Sequence, residues 1–145
     1  LPTPMNDGTR AIRLRHKGDA LEAEELWTSK NLKTDFSDIV ALQGYVYGMD
    51  GGIFTCVDLK TGARQWKGGR YGKGQALAMD ASGALLIAAE SGDVVLLAAD
   101  PGEHRELARF AAIHGKTWNH PVLIGDRLYL RNSEEAACYL MPLAN

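Results

Sequence analysis

The chain has 145 residues, 46% hydrophobic and 23% charged, with a formal net charge of -2, which is enough apolar material for a sizeable core in one globular body. A sequence pI near 6.1 leaves no global basic field to recruit nucleic acid or an anionic membrane surface. The longest apolar runs, Ala84 to Ala89 and Val94 to Ala99, fall well short of the roughly 20 residues a membrane-spanning helix needs.

The chain opens Leu1-Pro2-Thr3-Pro4 without Met, a basic start or an apolar leader. The expectation is that any signal peptide has already been removed, with upstream sequence missing as well. Residues 1–28 read as the end of a β-sheet unit. Ile12 and Leu14 alternate with basic residues from Arg10 to Arg15, and Leu21 to Trp27 leads to an aromatic that closes the unit.

Three copies of one strand, turn, strand pattern follow. Gly44 to Asp58 and Gly83 to Leu97 each place a glycine-bearing turn, Asp50-Gly51-Gly52 and Ser91-Gly92-Asp93, between short runs rich in Val, Ile, Leu and Tyr. Such glycines supply the positive φ that tight hairpins require. Gly125 to Leu140 repeats the pattern without the central glycine. The leading glycines 44, 83 and 125 recur at intervals of 39 and 42 residues, the period of a four-stranded propeller blade, about 40–45 residues.

Each copy is preceded by a further apolar strand, Ile39 to Leu42, Ala76 to Met79 and Pro121 to Ile124, and the first two are followed by an outer strand ending at Trp66 or Phe110. The expected architecture is all-β: a partial β-propeller of four-stranded antiparallel blades, two whole and two partial, in a single body. Its units are 1–28, 38–67, 75–111 and the incomplete 117–143. A helix competes over Asp19 to Glu25 and, with Pro101 at a first helical position, over Asp100 to Ala112. Repeat register favours a strand in the second.

The stretch Asp58-Leu59-Lys60-Thr61-Gly62-Ala63-Arg64-Gln65-Trp66 resembles the PQQ-type (quinoprotein-like) propeller repeat, in which an Asp after an apolar strand is followed by Thr-Gly and then Trp. Asp58 and Thr61 can bond turn amides, Gly62 can turn left-handed and Trp66 can plug the gap between blades. With Trp27 these are read as structural residues. Tyr71-Gly72-Lys73-Gly74 and Gly115 to Val122 are similar to the C-terminal part of bacterial PQQ-like propellers, whose rings have seven or eight blades. The resemblance implies a relative of the propeller lipoprotein of the outer-membrane β-barrel assembly machinery. It further implies a periplasmic or secreted location and a protein partner rather than nucleic acid.

It extends more distantly to quinoprotein dehydrogenases, which stack PQQ on a pair of adjacent cysteines beside a calcium ion. Here Cys56 and Cys138 stand apart in different units and are read as buried free thiols. The two cysteines offer no metal-ligand spacing, and His114 and His120, whose spacing would allow a metal, lack a third ligand. The expectation is therefore no cofactor and no catalytic residue, with PQQ and calcium in missing blades as the alternative.

The densest polar and aromatic cluster is His114, Lys116, Trp118, Asn119 and His120, leading into an innermost strand whose entry loop should line one rim of the ring. A rim that binds a peptide through Trp118 and the imidazoles competes with plain interblade packing. Hydrolase or lyase chemistry with His114 or His120 as base is a further alternative. Arg131 and Asn132 follow Tyr129 at a turn where Arg could pair with a carboxylate. Tyr71 and Lys73, in a Gly-rich loop that lacks the Ser or Thr of a phosphate loop, are placed on the same rim. Asp35, Asp38, Asp50, Asp80, Glu90 and Asp100 are scattered and mostly lie at strand ends. Blades bury their faces against neighbours, so remaining blades of a longer chain, or another copy, are expected to complete the ring.

Overall fold

A computed structural model describes residues 8–142; residues 1–7, which the sequence reading places in the first unit, and 143–145, of which it places only residue 143 in the last unit, lie outside the described residues. The described chain forms thirteen strands and one short 3-10 turn at Asp80–Ser82. The first sheet, blade I, is the hairpin β1 (Thr9–Lys17) and β2 (Ala20–Ser29). Blade II runs β3 (Ile39–Leu42), β4 (Tyr45–Asp50), β5 (Ile53–Asp58), β6 (Arg64–Arg70). Blade III runs β7 (Gln75–Met79), β8 (Ala84–Ala88), β9 (Asp93–Ala98), β10 (Glu106–Ala111). Blade IV has β11 (Val122–Ile124), β12 (Arg127–Arg131) and β13 (Ala136–Leu140). All neighbours pair antiparallel in sequence order. Both segments with a claim to helix carry strands instead, since each occupies an outer-strand slot.

The continuous apolar run of β8 is explained by cover on both faces. Successive strand side chains point to opposite sides, so Leu85 and Ile87 join Tyr47, Met49, Phe54, Val95 and Leu97 in the core between blades II and III. Leu86 and Ala88 join Val94, Leu128 and Leu130 between blades III and IV. In the same way Val46 and Val57 face Leu32 on the blade I side. Each fully buried aliphatic of this kind contributes about 1.5–3 kcal/mol.

Tryptophans latch one blade to the next. Trp27 Nε1 donates to the Leu59 carbonyl at 3.0 Å, and Trp66 Nε1 donates to the Asp100 carbonyl at 2.7 Å. Each acceptor lies in the turn after the third strand of the following blade. That turn is built as its residue types suggest: Asp58 Oδ1 accepts the Lys60 and Thr61 amides and the Thr61 hydroxyl, which holds its carboxyl below the usual range. Gly62 has φ +69, and a Cβ there would lie 2.7 Å from Trp27 Cε3.

Three expectations change. The outer strand β6 continues through Gly68 and Gly69 to Arg70, so part of the supposed interblade loop is sheet, bent by register shifts against β5. Phe110 is not the counterpart of Trp66. Trp66 pairs with Cys56 in β5, whereas the equivalent position of β9, Leu96, pairs with Ala108; a register shift between Glu106 and Ala108 hides this in the sequence. Finally, only Cys56 is buried; Cys138 is exposed because no sheet covers its side of blade IV among the described residues. Burial pushes the Cys56 thiol up to about 11.

Gly62→Ala combines left-handed backbone strain with the Trp27 clash and is expected to cost about 2–3 kcal/mol. Gly44→Ala, at φ +85 with open space around it, should cost only about 1 kcal/mol. Urea midpoints of the two variants check the difference.

Candidate functional site

The loops that lead from one blade's outer strand into the next blade's innermost strand, residues 30–38, 71–74 and 112–121, meet at one rim. Each is tied down by a residue at or just past the end of the second strand of its own blade. Asp50 Oδ1 accepts the Lys33 amide at 3.1 Å. Glu90 Oε2 accepts the Lys73 amide at 3.0 Å. Asn132 Nδ2 donates to the His114 carbonyl at 2.6 Å, while its Oδ1 accepts the Glu134 and Glu135 amides. Asn132 thus closes the one turn that lacks a central glycine.

Gln75 welds these loops together. It is 5% exposed and starts β7, in the blade between the other two. Its Oε1 accepts the Asp38 amide at 2.9 Å, and its Nε2 donates to the carbonyls of Phe36 at 3.0 Å and Trp118 at 3.2 Å. A buried amide with all these groups satisfied fixes geometry, since leaving any of them unpaired is costly.

The product is a pair of aromatic rings presented to solvent. Phe36 from the loop into blade II and Trp118 from the loop into blade IV lie 6.1 Å apart between centroids, 14° from parallel, and are 59% and 48% exposed. Lys73 Nζ sits 4.6 Å from the Phe36 centroid, and Lys116 Nζ 5.3 Å from the Trp118 centroid, within cation–π range. Glu90 anchors the indole: its Oε1 accepts Trp118 Nε1–H at 2.8 Å and faces Lys116 Nζ at 3.3 Å. The Trp118 and Lys73 hydrogen bonds hold the Glu90 carboxyl below its ordinary range, with Lys116 adding to the effect. Lys73 also faces Asp35 at 3.7 Å, and His120 Nε2 faces Asp38 Oδ2 at 3.5 Å.

Of the sequence-derived candidates, Lys73, Lys116, Trp118, Asn119, His120 and Arg131 come together here. With its amide oriented to suit its neighbours, Asn119 donates to the Arg131 carbonyl and accepts from the Arg131 guanidinium. Trp118 does not pack between blades; its ring is on the rim. Tyr71 is a correction. It is 2% exposed, and its hydroxyl bonds His104 at 2.8 Å and Glu106 at 2.7 Å, so it belongs to the seam between blades II and III. Asn132 is likewise buried and structural. His114 meets its neighbours through backbone, its amide bonded to the Glu135 carboxylate.

Sequence reasoning missed Phe36 and Gln75, and placed Glu90 only among the scattered carboxylates at strand ends. A signal existed in the recurrence of Lys33-Thr34 and Lys116-Thr117 within two entry loops, each followed within two residues by an aromatic.

His120 and Asp38 both have substantially exposed side chains. Among the described residues no group of three or more His, Cys, Asp or Glu is placed to hold a metal ion, and no helix is long and apolar enough to cross a membrane. Adjoining the rim, a cleft of about 350 Å³ on blade IV is lined by residues including His120, Val122, Tyr129, Arg131 and Cys138.

No protein-family model matches the chain, and no curated protein does. Among solved structures it is similar to BamB from Moraxella catarrhalis, with TM-score 0.63 and 18% identity, over 95% of this chain and 45% of that one. A computationally designed protein, Ika8, gives TM-score 0.44 and 11% identity over 81% of this chain and 54% of that one. The first likeness shows that the stacked sheets are blades of a β-propeller, and that this chain spans less than half the length of that protein.

Gln75→Ala is expected to destabilise the protein by about 2–4 kcal/mol through the groups it orphans and to broaden the Trp118 indole resonance in an NMR spectrum. Glu90, with a lowered folded-state pKa, contributes stability that is fully present above the ordinary Glu value and is lost as pH falls through the lower folded value. The Trp118 indole resonance should therefore titrate in acid with a midpoint below that of a free Glu, and Glu90→Gln should remove the transition.

Proposed function

We propose that this chain is part of a non-catalytic β-propeller scaffold of the PQQ-like repeat type that binds a protein partner in the bacterial envelope, without a cofactor. The observation that carries the reading is the exposed Phe36 and Trp118 pair, fixed by buried Gln75 and flanked by Lys73 and Lys116. Binding energy concentrates in aromatic anchors whose conformation is set before the partner arrives. A Trp held by both its ring neighbour and a carboxylate loses little freedom on binding.

The repeat assignment is supported by the Asp58, Thr61, Gly62 and Trp66 turn and latch. The envelope location rests on the sequence resemblance to the propeller lipoprotein of the outer-membrane assembly machinery and on the fold likeness to BamB. Quantitative pull-down from a bacterial envelope extract tests the function. Outer-membrane assembly proteins should co-purify, and a Phe36→Ala/Trp118→Ala variant should recover about tenfold less, a loss of about 1.4 kcal/mol. Saturable PQQ binding in the presence of calcium, or turnover of an alcohol or sugar, would overturn the reading in favour of a quinoprotein oxidoreductase.

The same reading places further blades, from a longer chain or another copy, against the two ends of the arc. Leu14 and Leu21 on blade I and Ile124 and Leu140 on blade IV are each more than 60% exposed, an apolar display that marks interaction surfaces. Sedimentation should show self-association of the isolated 145-residue chain. A stable, well-folded monomer would contradict this part.

A further inference from the structure

The two tryptophan latches make an irregularity between blades III and IV informative. The blades superimpose in register through one repeated backbone bond: Leu59 N–H donates to the Gly44 carbonyl, Ala99 N–H to that of Gly83, and Met141 N–H to that of Asp126. Leu59, Ala99 and Met141 are thus equivalent, and the latch acceptors, the carbonyls of Leu59 and Asp100, lie at this residue or the next. On the donor side Ala108 stands where Trp66 does, and Phe110 stands at the place of Gly68.

The slot filled by Trp66 between blades II and III, against Tyr47 and Phe54, is therefore lined by smaller groups between blades III and IV. Leu86 and Val94 replace the two aromatics, and Ala108 replaces the indole. Phe110 fills only one side, edge-on to Tyr139 at 5.2 Å. A cleft of about 340 Å³ remains, lined by residues including Met79, Leu96, Ala108, Phe110, Leu140 and Met141. It is continuous with the blade III and IV core and opens to solvent beside exposed Ala108.

We propose that this cleft is a second binding site, separate from the rim, that takes an aromatic side chain of indole size from a partner polypeptide. The ring lies where Trp66 lies one blade earlier, and its N–H is donated to the carbonyl of Met141 or Pro142. The occupant's chemistry follows from the repeat: this slot has the acceptor turn and the apolar walls of a tryptophan site but no tryptophan in the chain to fill it. A polypeptide is favoured as the carrier because the ring that fills the equivalent slot one blade earlier, Trp66, is itself borne on a polypeptide strand and latched through its N–H.

The test uses the whole chain with 13C-methyl-labelled methionine, titrated with N-acetyl-tryptophanamide and, separately, with indole. Saturable shifts are expected at Met79 and Met141, which line the cleft, and not at Met49, which is buried between blades II and III. Ala108→Trp should raise the melting temperature and weaken binding of the amide by about tenfold or more; if it does not fold, Ala108→Leu should weaken binding in the same direction. Trp118→Ala should leave these shifts intact, so failure here is separable from failure at the rim. Shifts at Met49 equal to those at Met79, unimpaired binding in the Ala108 variants, or binding of indole with exclusion of the amide would each overturn the proposal.

Discussion

A sheet with two apolar faces cannot stand alone in water, and this constraint organises the protein. The strands β4, β5, β8 and β9 are buried on both sides, so each whole blade requires a neighbour in front and behind. Stacking alone would allow the sheets to slide. The indoles of Trp27 and Trp66 remove that freedom, because each donates one directional hydrogen bond into the turn of the following blade. In the first of these the turn is shaped by Asp58, Thr61 and Gly62 to leave room for the ring. Local turn chemistry and interblade packing are thus one device.

The rim depends on the same stacking. Phe36 and Trp118 belong to blades II and IV, and only the intervening blade III, through Gln75 and Glu90, brings them within ring contact. A surface distributed over three blades is rigid only while the blades are latched. Any loosening of the Trp66 seam is felt at the rim, although the partners of Trp66, which are Tyr47, Phe54, His104 and the Asp100 carbonyl, all lie in the seam.

What could be read from the sequence follows from what is local. The period of the leading glycines, the strand alternation and the Asp58 to Trp66 motif are encoded within single blades, and the propeller was legible from them. Trp118, Lys116 and Lys73 were legible as rim candidates because entry-loop position follows from strand order. Gln75 was not, since its three partners come from two loops some forty residues away on either side. Tyr71 looked like a loop residue among glycines, yet the extension of β6 to Arg70 carries it into the seam beside His104. The substitution of Ala108 for a plug was hidden by a register shift that makes Phe110 look like its counterpart.

The central claim, that latched blades act as one stack, is tested most directly by hydrogen exchange at the chain's three indole N–H groups. The Trp66 proton is expected to exchange only with unfolding of the whole protein, and the Trp118 proton, held by a carboxylate at the surface, to exchange far faster. Exchange of Trp66 at a rate like that of Trp118 would mean that blades II and III separate in the native state, and the stack would not be the rigid frame described.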